Sequence, residues 1–479
     1  MSAAAFVVRE KDGSGRVTGV YSGGVQLANG HTSESRSLQP SSNKKRPRRT
    51  WNDFLSDVFL PEGYPATVSD GEYQIWNSLQ AFCSSLASLF GSRAVLQAHG
   101  VGNASASATN AILLTVLQDV FSRLTTIVAG YYLGTSLSPE AKTYRLLADV
   151  LNDAAIVFDT LSPHLAALAL SPAPPFVHAS AHTTSRLRIA ALCASGACRA
   201  LCGAVAGGSK AALTVHFASA GARPGDVGDL NAKDGSKETV LALLGMLCGT
   251  VVVQYVHSAR ATYAVLAALI AAHLAFNVLA VRVIALHTLN RQRAGIAWKA
   301  FRASLDKDGT PHSSAPPAVP GPAVVSSAER IFADPTRLLG PARAHCTLGA
   351  PFHALFPPGG LSDAQIARVL AAFARDRYVL WPAPAGLGAV VALKEGHAAR
   401  DHLRAWAHAH EVARRRAGRA RLREVVAARE VVERSFGTFV EAARAAGWKV
   451  DEGALVGGSP VTMSVEVGEG AAVEDKKRV

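Results

Sequence analysis

Two long uncharged stretches separated by four residues decide the fold. They are Thr239–Val256, TVLALLGMLCGTVVVQYV, and Ala261–Val281, ATYAVLAALIAAHLAFNVLAV, and neither contains Asp, Glu, Lys or Arg. A helix needs about 20 mainly apolar residues to cross the hydrocarbon core of a bilayer. The pair therefore predicts a transmembrane helical hairpin at 239–281. The alternative is a buried hairpin in a soluble helical domain, because His273 and Asn277 interrupt the second stretch.

The charge distribution around the hairpin also favours a membrane protein. Lys233 and Lys237 precede the hairpin and Arg282 and Arg291 follow it, so both ends would face the cytosol under the positive-inside rule. The net charge of +13 lies mostly before residue 51 and after residue 300, and only 18% of the residues are charged. A nucleic-acid-binding domain would concentrate basic charge on its folded unit. We therefore predict a multi-pass protein with the lipid bilayer as partner, no nucleic acid and no assigned organelle.

The apolar stretches at about 72–97, 106–134, 143–170 and 186–218 lack strand alternation and predict further helices. The predicted fold class is mainly α, with a multi-helix membrane-type bundle followed by a small α/β domain and a long basic helix.

The predicted boundaries are a disordered basic tail at 1–50, a helical membrane domain at 51–302, a Pro-rich linker at 303–328, a C-terminal α/β domain with the long helix at 329–452, and a disordered tail at 453–479. That helix includes six arginines within 414–423, which fit a solvated face or a surface for acidic lipid or nucleic acid.

Charged residues inside the predicted helices are the first candidate binding residues. Asp119 and Arg123 are spaced i, i+4, and so are Arg145, Asp149 and Asp153 in succession, with Asn152 beside them. Each set falls on one helix face. Ionisable groups within a membrane usually face the bundle interior or a polar cavity. The two interpretations are a structural ion pair that fixes helix packing and a polar pocket or transport path.

The polar segment before the hairpin is the second candidate. It reads Asn231–Thr239, NAKDGSKET. If Asp234 or Ser236 caps the helix, the free N–H groups of the first turn, together with Lys233 and Lys237, would hold a phosphate or carboxylate. The alternative is an ordinary cap with lysines that reach the membrane surface.

The sequence contains no H-E-x-x-H, C-x-x-C or G-x-S-x-G motif, and we predict a protein that is not an enzyme and holds no metal. An enzymatic alternative would rest on Asp149 and Asp153 alone. The pairs Gly203/Gly207 and Gly245/Gly249 have the G-x-x-x-G spacing, which predicts close helix packing.

Several ordered blocks resemble the root UVB sensitive family. They are Phe59–Pro65, FLPEGYP; Tyr73–Ser85, YQIWNSLQAFCSS; Gly100–Ala106, GVGNASA; Arg145–Asp153, RLLADVLND; and Ala232–Thr239, AKDGSKET. Lys394-Glu-Gly396, followed by Asp401 and His408, resembles the C-terminal region of the family. The family often has Asp at the position of Asn103 and Gln at that of Lys237.

The resemblance implies a multi-pass membrane protein of uncharacterised biochemistry, linked in plants to ultraviolet-B sensing and vitamin B6 homeostasis. On that basis we expect a non-enzymatic protein that acts by binding, transport or scaffolding. The resemblance also suggests a vitamin B6 phosphate as ligand of the Lys233–Thr239 segment, without a certain cofactor. The alternative is a membrane-anchored adaptor whose C-terminal domain recruits a cytosolic protein, and a family paralogue is another candidate partner.

Overall fold

A computed structural model describes most of the chain. The described residues are 6–11, 17–23, 68–99, 101, 108–165, 186–219, 225–305, 318–339, 344–383, 388–415, 422–458 and 460–465. The basic run at 44–49, the block at 59–65 and Asn103 lie outside these ranges.

The chain is mainly α, as predicted. Two strands, β1 (Phe6–Lys11) and β2 (Val17–Gly23), precede the first helix. The first six helices are α1 (Val68–Ala98), α2 (Ala108–Leu133), α3 (Ala141–Leu165), α4 (Arg186–Ala218), α5 (Val227–Tyr255) and α6 (Ala259–Val283). Four of them, α2, α4, α5 and α6, are long and apolar enough to cross a membrane.

The helices α1 and α3 form the centre of this bundle. Helix α1 packs against α3, α5 and α6, while α3 also packs against α4 and α6, and α2 packs on α4. The four candidate spans thus flank the two more polar helices. The predicted pair of helices at 239–281 is present and joined by a short turn, but the main neighbour of both α5 and α6 is α1.

The spacing of glycines explains how closely α5 approaches α1. A Cβ added at Gly245 would lie 2.8 Å from Ser85 Cβ, and one at Gly249 would lie 2.3 Å from Leu89 Cδ1. At Gly245 the added Cβ would also lie 2.9 Å from the Phe82 backbone carbonyl oxygen, so only glycine fits there, whereas at Gly249 the Leu89 side chain would have to move. At Gly203 and Gly207 an added Cβ would meet nothing within 4 Å. The close packing predicted for this G-x-x-x-G pair is therefore not found among the described residues.

The C-terminal unit is a four-stranded sheet covered by helices. Its strands are β3 (His345–Leu348), β4 (Tyr378–Pro382), β5 (Gly388–Lys394) and β6 (Thr462–Met463). Strand β5 is central: β3 and β6 pair with it in parallel and β4 pairs with it antiparallel. The helices are α7 (Arg291–Ala303), α8 (Pro322–Ala328), α9 (Phe352–Leu355), α10 (Asp363–Ala372), α11 (Ala399–Arg414) and α12 (Leu422–Ala445).

The core of this unit begins earlier in the chain than residue 329. Trp298 and Phe301 of α7 pack with Phe439 of α12, and Val325, inside the segment predicted to be a linker, is fully buried in the same core. The amphipathic pattern of α7, with polar residues between its aromatic ones, supplies this face.

Three further segments differ from the prediction. The antiparallel strands Phe6–Lys11 and Val17–Gly23 lie within the tail predicted to be disordered, where β-branched residues favour strands. The predicted long basic helix is instead two helices, α11 and α12, which pack against each other. Most of the arginine-rich stretch lies outside the described residues. Ala454 and Leu455 are buried and β6 follows them, so this part of the predicted C-terminal tail is folded.

Candidate functional site

The candidate site is a buried polar centre around one face of α3. Because Arg145, Asp149 and Asp153 are spaced four residues apart on a helix, their side chains lie above one another. Asp149 and Asp153 are only 6% and 3% exposed. The structure thus brings together the predicted charged residues of this helix, and it turns them toward the bundle interior.

Helices α1 and α6 supply the partners of these groups. Asn77 Oδ1 accepts a hydrogen bond from Arg145 at 2.8 Å, and Gln80 donates to Asp149 Oδ2 at 2.8 Å. His273 Nδ1 lies 2.8 Å from both carboxylate oxygens of Asp153, and His273 Nε2 lies 4.0 Å from Asp149 Oδ2. The polar centre is therefore built from three helices that are distant in sequence.

Asn152 makes a separate contact with α1. Its amide donates to Ser84 Oγ at 2.9 Å. This hydrogen bond ties α3 to α1 beside the polar centre, and it gives Asn152 a packing role in the described structure.

The polar centre has hydrogen-bonding capacity that the described residues leave unused. His273 and Asn277, one helical turn apart on α6, are at most 1% exposed. Neither side-chain atom of the Asn277 amide, nor His273 Nε2, nor Gln80 Oε1, has a hydrogen-bond partner among the described residues. Buried polar groups are normally satisfied, so each of these atoms calls for a partner such as water or a ligand. Chemically, the centre offers unpaired donors and acceptors beside two carboxylates.

The lysines of the second candidate segment are paired with carboxylates. Lys233 Nζ lies 3.0 Å from Asp229 Oδ2 and Lys237 Nζ lies 3.3 Å from Asp234 Oδ1. Lys237 also donates to Gln74. From α4, Lys210 Nζ lies 2.7 Å from Glu238 Oε2, so the segment forms an ion-pair network between α4 and α5.

The predicted cap of this segment was wrong. Helix α5 begins at Val227, and its cap is Asp226, whose side chain accepts from the Gly228 N–H at 2.7 Å. Asp234 and Ser236 therefore lie within the helix, where the backbone N–H groups are used in intrahelical hydrogen bonds. About three polar turns at the start of the helix concealed its true beginning, since the uncharged run begins only at Thr239.

Asp119 and Arg123 lie away from the polar centre. Both side chains are exposed on α2, and no ion pair joins them in the part of the chain that the structure describes. The face of α2 that meets α4 carries Gln118 and Ser122 instead, which approach Gly196.

A second polar region lies at the end of the C-terminal sheet. A cavity of about 380 Å³ is lined by Arg375, Arg377 and Lys394, among others. Burial lowers the pKa of Lys394 and raises that of Asp376. Lys394 Nζ already donates to the Phe373 carbonyl at 2.5 Å, and Asp376 pairs with Arg429 at 3.0 Å. These contacts give the charged groups a structural role.

Sequence reasoning missed Asn77, Gln80, His273 and Asn277 as members of the site. Asn77 and Gln80 lie within the block Tyr73–Ser85, and His273 is the only ionisable side chain in its uncharged stretch apart from Tyr263. A histidine inside a predicted span is a signal for a functional site. Sequence reasoning could have linked this histidine to the acidic residues Asp149 and Asp153 on one face of α3.

The comparisons with known proteins concern mainly the helical bundle. The family model described as the vitamin B6 photo-protection and homoeostasis domain matches residues 45–304. The chain is 30% identical over 285 residues to RUS family member 1 of Dictyostelium discoideum, covering 58% of this chain and 48% of that protein. It is 31% identical over 272 residues to protein root UVB sensitive 3 of Arabidopsis thaliana, covering 56% of each.

The chain thus spans about half the length of these curated relatives. No solved structure matches it. The matched region contains all of α1 to α6, and with them every residue of the polar centre. Because the family model covers more than half of the chain, the protein belongs to the root UVB sensitive family, which carries the vitamin B6 photo-protection and homoeostasis domain.

Proposed function

We propose that this chain is a multi-pass membrane protein whose polar centre binds a small polar vitamin B6 vitamer, for transport or retention in the bilayer. The observation that carries the proposal is the unused hydrogen-bonding capacity of His273 and Asn277 beside two buried carboxylates. Polar and ionisable residues inside membrane proteins commonly mark a ligand or ion path. The description of the family directs the choice of ligand toward vitamin B6.

The charges of the polar centre favour a neutral or cationic ligand. Asp149 interacts with the Arg145 guanidinium, while Asp153 contacts His273, so an added phosphate would meet carboxylates. An unphosphorylated vitamer offers hydroxyl groups and a ring nitrogen, and pyridoxamine adds an amine. The vitamin B6 phosphate suggested by the resemblance would instead need Lys233 and Lys237, both of which pair with carboxylates.

Calorimetry on the full chain in lipid nanodiscs tests the ligand. We expect pyridoxamine or pyridoxine to bind, and Asp153→Asn or His273→Gln to weaken binding by about tenfold, since hydrogen bonds to charged groups contribute about 1.5–3 kcal/mol. The matched control is Asp229→Asn, because Asp229 is an acidic residue of α5 paired only with Lys233 in the described contacts.

Two outcomes of this experiment would contradict the proposed site. One is the absence of binding by any vitamer. The other is binding of pyridoxal phosphate that Lys233→Ala and Lys237→Ala abolish while Asp153→Asn leaves it unchanged, which would favour the α5 segment as the site.

Membrane insertion is tested separately by carbonate extraction and protease mapping of tags at both termini. With four spans, α2, α4, α5 and α6, the protein should stay in the membrane pellet and both termini should be on one side. Release into the supernatant would favour the soluble alternative, and termini on opposite sides would contradict four spans.

A second candidate function is that of a membrane-anchored adaptor. Phe332 and Phe352 are 59% and 45% exposed on the C-terminal unit, and exposed aromatic side chains are enriched in binding surfaces. We expect Phe332→Ser with Phe352→Ser to abolish function in cells while leaving membrane insertion intact. Full function of the double variant would count against the adaptor. Deletion of residues 329–479 is a poorer test, since it would expose Trp298 and Phe301 of α7.

A further inference from the structure

Helix α2 is the most exposed of the four candidate spans, and none of its most apolar 18-residue window is buried in the structure. Its contact with α4 uses the stripe that includes Gln118, Ser122 and Ala129. Outside this stripe, large apolar side chains are exposed along the whole helix, including Ile112, Val116 and Ile127, which are 53–69% exposed. A lipid-facing helix explains these apolar residues.

Lipid does not explain the two charges on the same surface. Asp119 and Arg123 lie near the middle of the 26-residue helix and are exposed. An ionisable side chain facing hydrocarbon is costly, and such residues almost always face a protein interior or pair with another group. If α2 crosses the bilayer, this face therefore needs a partner that presents both a cation and an anion.

An identical helix presents that arrangement. Ile112, Val116, Asp119, Arg123, Ile127 and Gly130 follow the i, i+3, i+4 spacing of one face, and all are exposed. When two copies pair about a two-fold axis, each contributes the same patch, so residue i meets j and j meets i. Arg123 of each copy would then pair with Asp119 of the other.

Two copies inserted with the same orientation must pair with their α2 helices parallel. This geometry suits the reciprocal Asp119–Arg123 ion pairs. Arg123 lies one turn after Asp119, and Cα–Cβ bonds in a helix tilt toward its N-terminus. The long arginine side chain thus runs back toward the level of Asp119 on the neighbouring helix. Gly130, where an added Cβ would meet nothing within 4 Å, leaves room for close approach at the end of the stripe.

We propose that the protein forms a symmetric homodimer in the membrane through this face of α2, held by reciprocal Asp119–Arg123 ion pairs. The proposal is independent of any vitamer, because the face is separate from the polar centre. It requires only that α2 is in the bilayer, and the extraction experiment above tests that requirement separately.

Charge exchange in the full-length chain tests the dimer. Two differently tagged copies are expressed together, and co-purification from native nanodiscs is measured. Asp119→Arg gives two cations per copy and Arg123→Asp gives two anions, so each variant should lose pairing with itself by about tenfold or more, since opposed like charges are strongly unfavourable. Asp119→Arg expressed with Arg123→Asp should pair again, and the doubly exchanged chain should pair with itself.

Restored pairing also shows that each single variant is folded and inserted. The matched control is Leu124→Ala, at a side chain that is 55% exposed on the same helix but outside the proposed face, and it should leave pairing unchanged. Three results would overturn the proposal: a wild-type chain that is monomeric in nanodiscs, pairing that no charge variant weakens, or single variants whose mixture fails to pair. If the face binds only a family paralogue, or is covered by another segment of the same chain, the wild-type chain will be monomeric in nanodiscs.

Discussion

At the scale of single residues, two buried asparagines differ in whether their side chains have hydrogen-bond partners. Asn77 on α1 accepts a hydrogen bond from Arg145, whereas the Asn277 amide on α6 has no partner among the described residues. Both are at most 5% exposed. An unsatisfied buried polar group costs free energy that folding must offset, so the two positions should respond differently to the same substitution.

We expect Asn277→Leu to raise the free energy of unfolding by about 1 kcal/mol, because it removes an unpaired buried amide. The same change at Asn77 should destabilise the protein by about 1–3 kcal/mol, because it removes one hydrogen-bond acceptor of the buried Arg145 guanidinium, which also bonds to Tyr73. Thermal unfolding of the two variants in nanodiscs measures both effects. If our assignment of the ligand site is correct, Asn277→Leu should also weaken vitamer binding. Equal destabilisation at both positions would contradict the assigned difference.

At the scale of helices, Gly245 of α5 lies tightly against α1, whereas Gly203 of α4 has no close neighbour among the described residues. A Cβ added at Gly245 would lie 2.9 Å from the Phe82 carbonyl oxygen, which is a backbone atom, whereas at Gly203 it would meet nothing within 4 Å. We expect Gly245→Val to cost about 1–3 kcal/mol through overpacking, and Gly203→Val to change stability by less than about 1 kcal/mol. Thermal unfolding of both variants measures the difference, and a tolerated Gly245→Val would show that α5 can shift on α1.

The same helices show how far sequence could predict the fold and the site. Composition alone located α5 and α6, and helical spacing placed Arg145, Asp149 and Asp153 on one face. Spacing could not distinguish Gly245/Gly249 from Gly203/Gly207, because the difference depends on which neighbour each faces. His273 lies 120 residues from Asp153, and only the packing of α6 near α3 reveals that they meet.

At the scale of the whole molecule, a buried charge cluster joins the bundle to the C-terminal unit. Lys142 at the start of α3 lies 2.7 Å from Glu329 Oε2, and Arg293 of α7 lies 3.4 Å from Glu329 Oε1. All three side chains are at most 6% exposed. One carboxylate thus forms ion pairs with two buried cations, and Glu140 also interacts electrostatically with Arg293.

We expect Glu329→Gln to destabilise the attachment of the C-terminal unit by about 3–5 kcal/mol, because it leaves the buried Lys142 without its counterion and removes the ion-pair partner of Arg293. Limited proteolysis at the junction should become faster. Glu433→Gln is the matched control, since Glu433 is 57% exposed in its ion pairs and should change the rate little. An unchanged cleavage rate in Glu329→Gln would contradict the role of this cluster.

The C-terminal unit should also be sensitive to acid. Burial lowers the pKa of His402, His408 and His410 to about 4, against about 6.5 in an unfolded chain. Between these values the unfolded state binds protons that the folded state does not. Stability is therefore fully present above about pH 6.5 and falls toward pH 4, by up to about 1.4 kcal/mol per pH unit for each histidine.

Fluorescence of the buried Trp298 and Trp406 reports this loss in denaturant titrations at a series of pH values. The variant His408→Gln should flatten the pH dependence, since it removes one of the three titrating groups. A free energy of unfolding that stays constant from pH 7 to pH 4.5 would contradict the prediction.

The last strand of the sheet has a consequence for biosynthesis. β6 at Thr462–Met463 adds to the central strand β5, the Leu455 carbonyl accepts from Arg291, and Gly457 lies against Thr135. Residues near the end of the sequence thus complete contacts with segments made more than 160 and 320 positions earlier. The ribosome delivers the bundle helices first, so the bundle can assemble before the C-terminal unit closes. A nascent chain stalled before residue 455 would leave that unit incomplete and exposed to chaperones.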